Sequence, residues 1–360
     1  MRKSLFFLIG IGTIVIVLSI SQSCKQCNRP AEVVKNDTVG IPKLQAVNEE
    51  ISKDSLNPFL YYKRAQIYEA NKDFKSAATD MYIALTLDSL RPEFYTYAAE
   101  LFKKTGDLKR GVQFMRKAIS TDSTNVIFYV KAAELVYLDT TIAGNYRIAL
   151  DYLNKAIEID PQNAEIYYYK GSIFKEVGDT ARALSAFQTA TELNPKFYNA
   201  WVQIGRLLKS KKDKNAEKYF DNAIKVSDRP TDALYDKANM LKEEAIRLFD
   251  ANQDAKSREK FNAAIENYKK VIELDYKDAE AHMAIGFCYY QMDSLEEAYK
   301  YYEMATKVDP TYAGAYFSKG LVAEEMGRKK EAIALYQNCL NIDPKFTRAE
   351  EHLKKLQSVQ

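Results

Sequence analysis

AEAHMAIGFCYYQMDSLEEAYKYYEMATKVDPTY (Ala279–Tyr312) runs directly into AGAYFSKGLVAEEMGRKKEAIALYQNCLNIDPKF (Ala313–Phe346), and the two stretches share one length and one plan. His282 and Tyr316 fill the same position, and four residues later each stretch has a glycine, Gly286 or Gly320. That spacing puts both residues on one face of a helix, the second small enough to let a neighbouring helix come close. A turn follows at Asp293-Ser294 or Gly327-Arg328, and then Ala298-Tyr302-Ala305 or Ala332-Tyr336-Cys339. Steps of four and three again mark a single helical face. Each stretch closes on Asp309-Pro310 or Asp343-Pro344. Proline halts the outgoing helix and suits the first turn of the next one. The plan is a helix–turn–helix unit.

Outward from this pair, the bulky residue recurs at Tyr61, Tyr95, Tyr129, Tyr167, Trp201 and Leu234, with gaps along the chain of 34, 34, 38, 34, 33, 48 and 34 residues. The small partner follows each time, at Ala65, Ala99, Ala133, Gly171, Gly205 and Ala238. Eight units are expected: 58–91, 92–125, 126–163, 164–197, 198–230, 231–278, 279–312 and 313–346. In the third, four extra residues around Asp139–Asn145 predict a longer loop. In the sixth, 14 extra residues between Leu241 and Ala264 predict two helices each longer by about two turns, joined near Ala251–Asp254. Ile246, Phe249 and Phe261 are expected to cover one another there.

A helix–turn–helix of this period and pattern resembles the tetratricopeptide repeat. The resemblance implies an all-α, right-handed α-solenoid whose core forms by stacking and whose ends need caps. Leu44, Val47 and Ile51 make an apolar stripe in 43–57, and Ala349, Leu353 and Leu356 make one in 347–360. Both segments are read as capping helices.

The scarcity of glycine (13) and proline (9) in 360 residues argues against turn-rich β folds. Without Arg2 and Lys3 there are 50 basic side chains against 49 acidic ones, a balance that gives nucleic acid no footing. Catalysis finds little material. His282 occupies a repeat-core position, His352 lies in the charged closing segment, and no phosphate-cradling glycine loop or metal-ligand spacing occurs. No enzyme activity, cofactor, metal or small-molecule substrate is expected. Cys288 and Cys339 fall inside helical apolar patterns and read as inert core thiols.

The N-terminus reads as a targeting segment, not as part of the fold. Met1-Arg2-Lys3 precedes an apolar run, Leu5–Leu18, too short for a comfortable membrane span. Ser23-Cys24 at its end resembles a bacterial lipobox, which implies that Cys24 is lipidated; Ser21 departs from the usual Leu or Ile three residues before the cysteine. Segment 1–23 is read as signal peptide or anchor, and 24–42 as a flexible tether. Lys25-Gln26-Cys27-Asn28 lacks the acidic run of surface lipoproteins in Bacteroidetes-like bacteria, so the expected place is the bacterial envelope, on an outer membrane and facing the periplasm. An uncleaved N-terminal anchor with a cytoplasmic solenoid acting as a receptor, and a freed soluble protein, stay open.

By resemblance, the functional surface is a concave groove lined by the first helix of each unit, where a protein or peptide partner binds. The groove position just after the bulky residue is Tyr62, Val130, Tyr168, Val202, Tyr235, Met283 or Phe317, and one turn further lie Arg206, Asn239 and Phe287. Chaperone-binding members hold a C-terminal carboxylate with Lys and Asn at these two places. Here Asn239 is paired with Tyr235, which argues against such a clamp and for an apolar, aromatic groove, with Arg206 and Lys209 as polar anchors.

Overall fold

The computed structural model describes residues 42–358, and all 18 of its helices are α-helices; no strand occurs among the described residues. The leader, the tether up to residue 41 and Cys24 lie outside them. The chain divides into two compact units, one ending at Ser89 and the other beginning at Leu90. No helix among the described residues is long and apolar enough to cross a membrane.

The first unit holds α1 (Pro42–Lys53), α2 (Pro58–Ala70) and α3 (Phe74–Leu87). Leu44, Val47 and Ile51, the apolar stripe of α1, are buried. Arg64 on α2 ties the three helices together. Its Nε and Nη2 each donate to the Asp80 carboxylate of α3 at 2.7 Å, and Nη1 donates to Asn48 Oδ1 of α1 at 2.9 Å.

The second unit contains seven helix pairs and a closing helix. The pairs are α4 (Pro92–Thr105) with α5 (Leu108–Thr121), α6 (Val126–Leu138) with α7 (Asn145–Ile159), α8 (Ala164–Glu176) with α9 (Thr180–Leu193), and α10 (Tyr198–Ser210) with α11 (Ala216–Val226). Then follow α12 (Thr231–Asp250) with α13 (Asp254–Leu274), α14 (Ala279–Gln291) with α15 (Leu295–Val308), and α16 (Ala313–Glu325) with α17 (Lys329–Ile342), closed by α18 (Thr347–Ser358). Each helix packs on the next along the chain. The first helices of successive pairs also touch, α4 on α6, α6 on α8 and α10 on α12, so they form a layer of their own.

Local chemistry explains the recurring residues. Tyr129 and Tyr167 Oη and Trp201 Nε1 each donate to a main-chain carbonyl six residues upstream, at 3.2, 3.0 and 2.8 Å. The bulky position is thus filled by rings with a polar tip, because that tip satisfies the turn entering the helix. His282 does the same with Nε2, which donates to Tyr276 O at 3.0 Å since a carbonyl only accepts, while Nδ1 is buried with no hydrogen-bond partner among the described residues. At Gly205 a Cβ would lie 2.6 Å from the Phe220 ring, and Gly171, Gly286 and Gly320 face Phe187, Tyr302 and Tyr336 in the same way. In these pairs the second helix presses an aromatic ring onto the backbone of the first.

The Asp-Pro and Asn-Pro closures act through the acid or amide. Asp160, Asn194, Asp309 and Asp343 are extended, and each side chain accepts from the main-chain N–H two residues on. That local bond diverts the chain out of the helix. The long third unit spends its extra residues in loop 139–144, and the long sixth unit in helices of 20 and 21 residues with a turn at 251–253. Phe261 is buried there and Ile246 packs beside it, but Phe249 is half exposed, contrary to the expected mutual cover.

Candidate functional site: an apolar cleft on the first-helix layer

Cys288 and Cys339 are fully buried, and burial pushes their thiols up to about 12 and about 11, so neither is a ready thiolate at neutral pH. No group of three or more metal-ligating side chains occurs among the described residues.

The predicted groove residues separate into three sets. Val130 and Val202 are buried, 1% and 2% exposed, and offer nothing to a partner. The physical reason is the contact between successive first helices, which closes over short side chains at this position. Tyr168 and Tyr235 are half-buried and bridge that seam. The Tyr168 ring packs at 5.7 Å from Phe187 and 5.1 Å from Phe197. The Tyr235 hydroxyl donates to the Asp278 carboxylate, and its ring stands edge-on to Tyr268. Asn239 accepts from Tyr268 Oη at 2.7 Å, and Arg206 is exposed but pairs with Asp236 at 2.5 Å. Tyr168, Tyr235 and Asn239 tie helices together and are seam residues, whereas Arg206 stays exposed and lines an open recess. Tyr62 is half-buried in the first unit.

Met283, Phe287 and Phe317 do come together. With Leu321 they line a cleft of about 380 Å³ between α14, α16 and α18, closed at one side by Phe346 and Arg348. Phe317 is its nearly buried floor, with Phe346 at 5.0 Å and the Arg348 guanidinium over its face at 4.9 Å. A polar cluster pins α18 against α16 beneath the cleft. Glu324 Oε2 accepts from Tyr336 Oη at 2.8 Å and lies 2.8 Å from His352 Nδ1. Burial opposes ionisation of Glu324, yet these hydrogen bonds hold its carboxyl below the usual range.

Sequence reasoning missed Lys242 and Tyr290. Both lie seven residues, two helical turns, beyond the groove position of their own helices, Tyr235 and Met283, so extending the stripe one more turn finds them. The Lys242 ammonium sits 5.8 Å from the centres of both the Tyr268 and Phe287 rings. Arg348 and Phe346 come from the closing segment, which the repeat pattern does not describe.

A larger recess of about 910 Å³ lies against the long α12–α13 pair and the turn after α10. Its walls are charged and largely self-neutralised, with Lys209 paired to Glu243 at 2.9 Å and Lys260 to Glu244 at 3.0 Å.

Known proteins agree with this architecture. Residues 152–185, 279–312 and 313–346 each match a family model of the tetratricopeptide repeat, and 256–293 matches one described as TPR repeat. The matched segments are tetratricopeptide repeats within an all-α fold, and every residue lining the cleft except Arg348 lies in 279–346. Among relatives, it is 30% identical over 149 residues to DnaJ homolog subfamily C member 3 of Bos taurus, covering 41% of this chain and 30% of that protein. It is 30% identical over 106 residues to the general transcriptional corepressor ssn6 of Schizosaccharomyces pombe, covering 29% and 8%. The chain spans less than a third of the length of the curated relatives it matches. Among solved structures, the C-terminal part of a TPR repeat-containing protein from Cytophaga hutchinsonii aligns with a TM-score of 0.56 at 16% identity, over 72% of this chain and 99% of that one. YrrB, described as a TPR protein with an unusual peptide-binding site, aligns with a TM-score of 0.44 at 23% identity, over 56% and 97%. Tetratricopeptide repeats generally mediate contacts between proteins.

Proposed function

We propose that this protein is a non-enzymatic scaffold, held at a bacterial envelope membrane by its N-terminus, that captures a peptide segment of a partner protein in the cleft between α14, α16 and α18. The observation that carries the reading is the cleft itself: large apolar side chains from two first helices converge on one opening whose floor is preformed. Its volume is at the lower end of what ligand pockets measure, about 300–1,000 Å³, which suits one or two side chains of a bound segment better than a whole cofactor.

Binding of the full-length protein to an array of short apolar peptides tests this. Phe287→Ser removes one wall and is expected to weaken capture about tenfold, because burial of one large apolar side chain contributes about 1.5–3 kcal/mol. Ser318→Trp fills the same cleft from α16 and should give the same loss; because it also gives up the hydrogen bond of Ser318 with Tyr302, a thermal melt checks that the repeat stays folded. Undiminished capture by both variants would remove the cleft from consideration.

Membrane attachment rests on the sequence at Ser23-Cys24, since only Cys24 follows a small residue at the end of the apolar run, whereas Cys27 follows Gln26. Diacyl anchoring is firm because each buried CH₂ contributes about 0.8 kcal/mol. Radiolabelled palmitate should enter the wild type and Cys27→Ala but not Cys24→Ala. Membrane association that survives in Cys24→Ala would favour a retained N-terminal helix instead.

A further inference from the structure

Most groove-side cations of the second unit already have a carboxylate. Lys103 reaches Glu134 at 2.8 Å, Lys131 pairs with Glu100, Arg206 with Asp236 and Lys209 with Glu243. The two cations beside the cleft do not. Among the described residues no carboxylate lies within ion-pairing distance of Lys242 or Arg348. Each rests instead against a ring that lines the cleft, Lys242 against Phe287 and Arg348 against Phe317. The nearby carboxylates are engaged elsewhere: Glu243 with Lys209, Glu325 with the Tyr290 hydroxyl, and Glu324 with His352 and Tyr336.

Lys242 is half-buried, and an unpaired cation partly withdrawn from water is unfavourable, a ring face compensating only in part, while Arg348 is exposed and open to a partner. Burial holds the Lys242 ammonium below the usual lysine range, although the nearby Cys288 and Glu243 pull it the other way. Such an arrangement is relieved by a bound anion. An apolar opening with an unpaired cation against one wall and another over its floor is complementary to a segment that is apolar in the middle and acidic at its flanks.

We propose that the cleft selects acidic, apolar peptide segments: an apolar side chain enters between Phe287 and Leu321 over Phe317, and carboxylates on either side of it pair with Lys242 and Arg348. The proposal rests on the peptide-capture reading above and adds the chemistry of the captured segment.

The test is an array of short peptides in four classes, acidic–apolar, basic–apolar, neutral–apolar and acidic without apolar residues, probed with the full-length protein. Acidic–apolar peptides should be retained about tenfold better than any other class. Lys242→Met and Arg348→Met, which keep most of each side chain and delete its charge, should each erase most of that preference, and the double variant all of it. Lys242→Met should also melt no lower than the wild type, because it removes a poorly solvated charge. Equal retention of neutral or basic apolar peptides, or an acidic preference that survives the double variant, overturns this proposal while leaving peptide capture intact. Retention of acidic peptides lacking apolar residues as strongly as the acidic–apolar class overturns it as well. If no class is retained, both readings fall together.

Discussion

Ala223→Arg is expected to destabilise the protein by roughly 3–5 kcal/mol. Ala223 on α11 is fully buried and packs with Val202 of α10 and Ala233 of α12, so three helices meet on its methyl group. An arginine there has nowhere to extend without separating two repeats, and its charge finds no counter-ion among Val202, Ala233 and Ile224. Both penalties act at once, overpacking and an unpaired charge in an apolar seam. Ala190→Arg, at the equivalent place on α9 and equally buried, should behave alike. Lys225→Ala, exposed on the same helix as Ala223, serves as control and should stay within about 0.5 kcal/mol. Urea titrations followed by circular dichroism read all three. An arginine variant that falls in the control range would mean that the seam at Ala223 is not closed.

Asp80→Ala is expected to cost the first unit about 3–5 kcal/mol, the amount typical of removing one partner from a buried ion pair. Asp80 is 3% exposed and its pair with Arg64 is bidentate at 2.7 Å on both arms. Without Asp80 the guanidinium keeps only Asn48 and the faces of Tyr61 and Tyr68, at 5.5 and 5.9 Å. Burial outweighs the pull of Arg64 and leaves the Asp80 carboxyl somewhat above the usual range. The pair therefore specifies how α1, α2 and α3 meet more than it adds net stability. The double variant Arg64→Met with Asp80→Leu should accordingly recover most of the loss in a thermal melt, since neither charge is then stranded. A double variant as unstable as Asp80→Ala would argue that the ion pair itself supplies the stability.

The fold was legible because repetition averages out local ambiguity. One apolar stripe is weak evidence, but eight, each carrying a bulky residue and a small one four later, fix a face, and Gly205 against Phe220 shows the close approach that the small residue serves. The site was legible only in part. Periodicity within a repeat identifies the face of α6 or α10 that points toward the layer, but not how near the adjacent first helix lies. Distance between neighbours decides that Val130 and Val202 are covered while Met283 and Phe287 border an opening. Tyr168 and Tyr235 looked like binding residues because tyrosine suits both wet surfaces and seams, and only the positions of Phe197 and Asp278 distinguish the two. Phe249 failed for the opposite reason: it lies at the end of a hairpin whose helices outlast those of the neighbouring pairs, where there is little to pack against.

The extra length of that hairpin also bears on how the chain acquires its structure. In the unit from Leu90 onward the helices that pack closely are neighbours in the chain or next but one, so loops closed during folding are short and relative contact order is low. In such a quasi-linear array order starts wherever a single repeat is strongest and spreads to its neighbours. Helices α12 and α13 pack along 20 and 21 residues, against 11–15 in the other pairs of that unit, and they enclose a core containing Leu241, Phe261, Ile265 and Tyr268. This pair is therefore expected to form early, and amide exchange in α12 and α13 is expected to be slower than in the closing helix that borders the cleft.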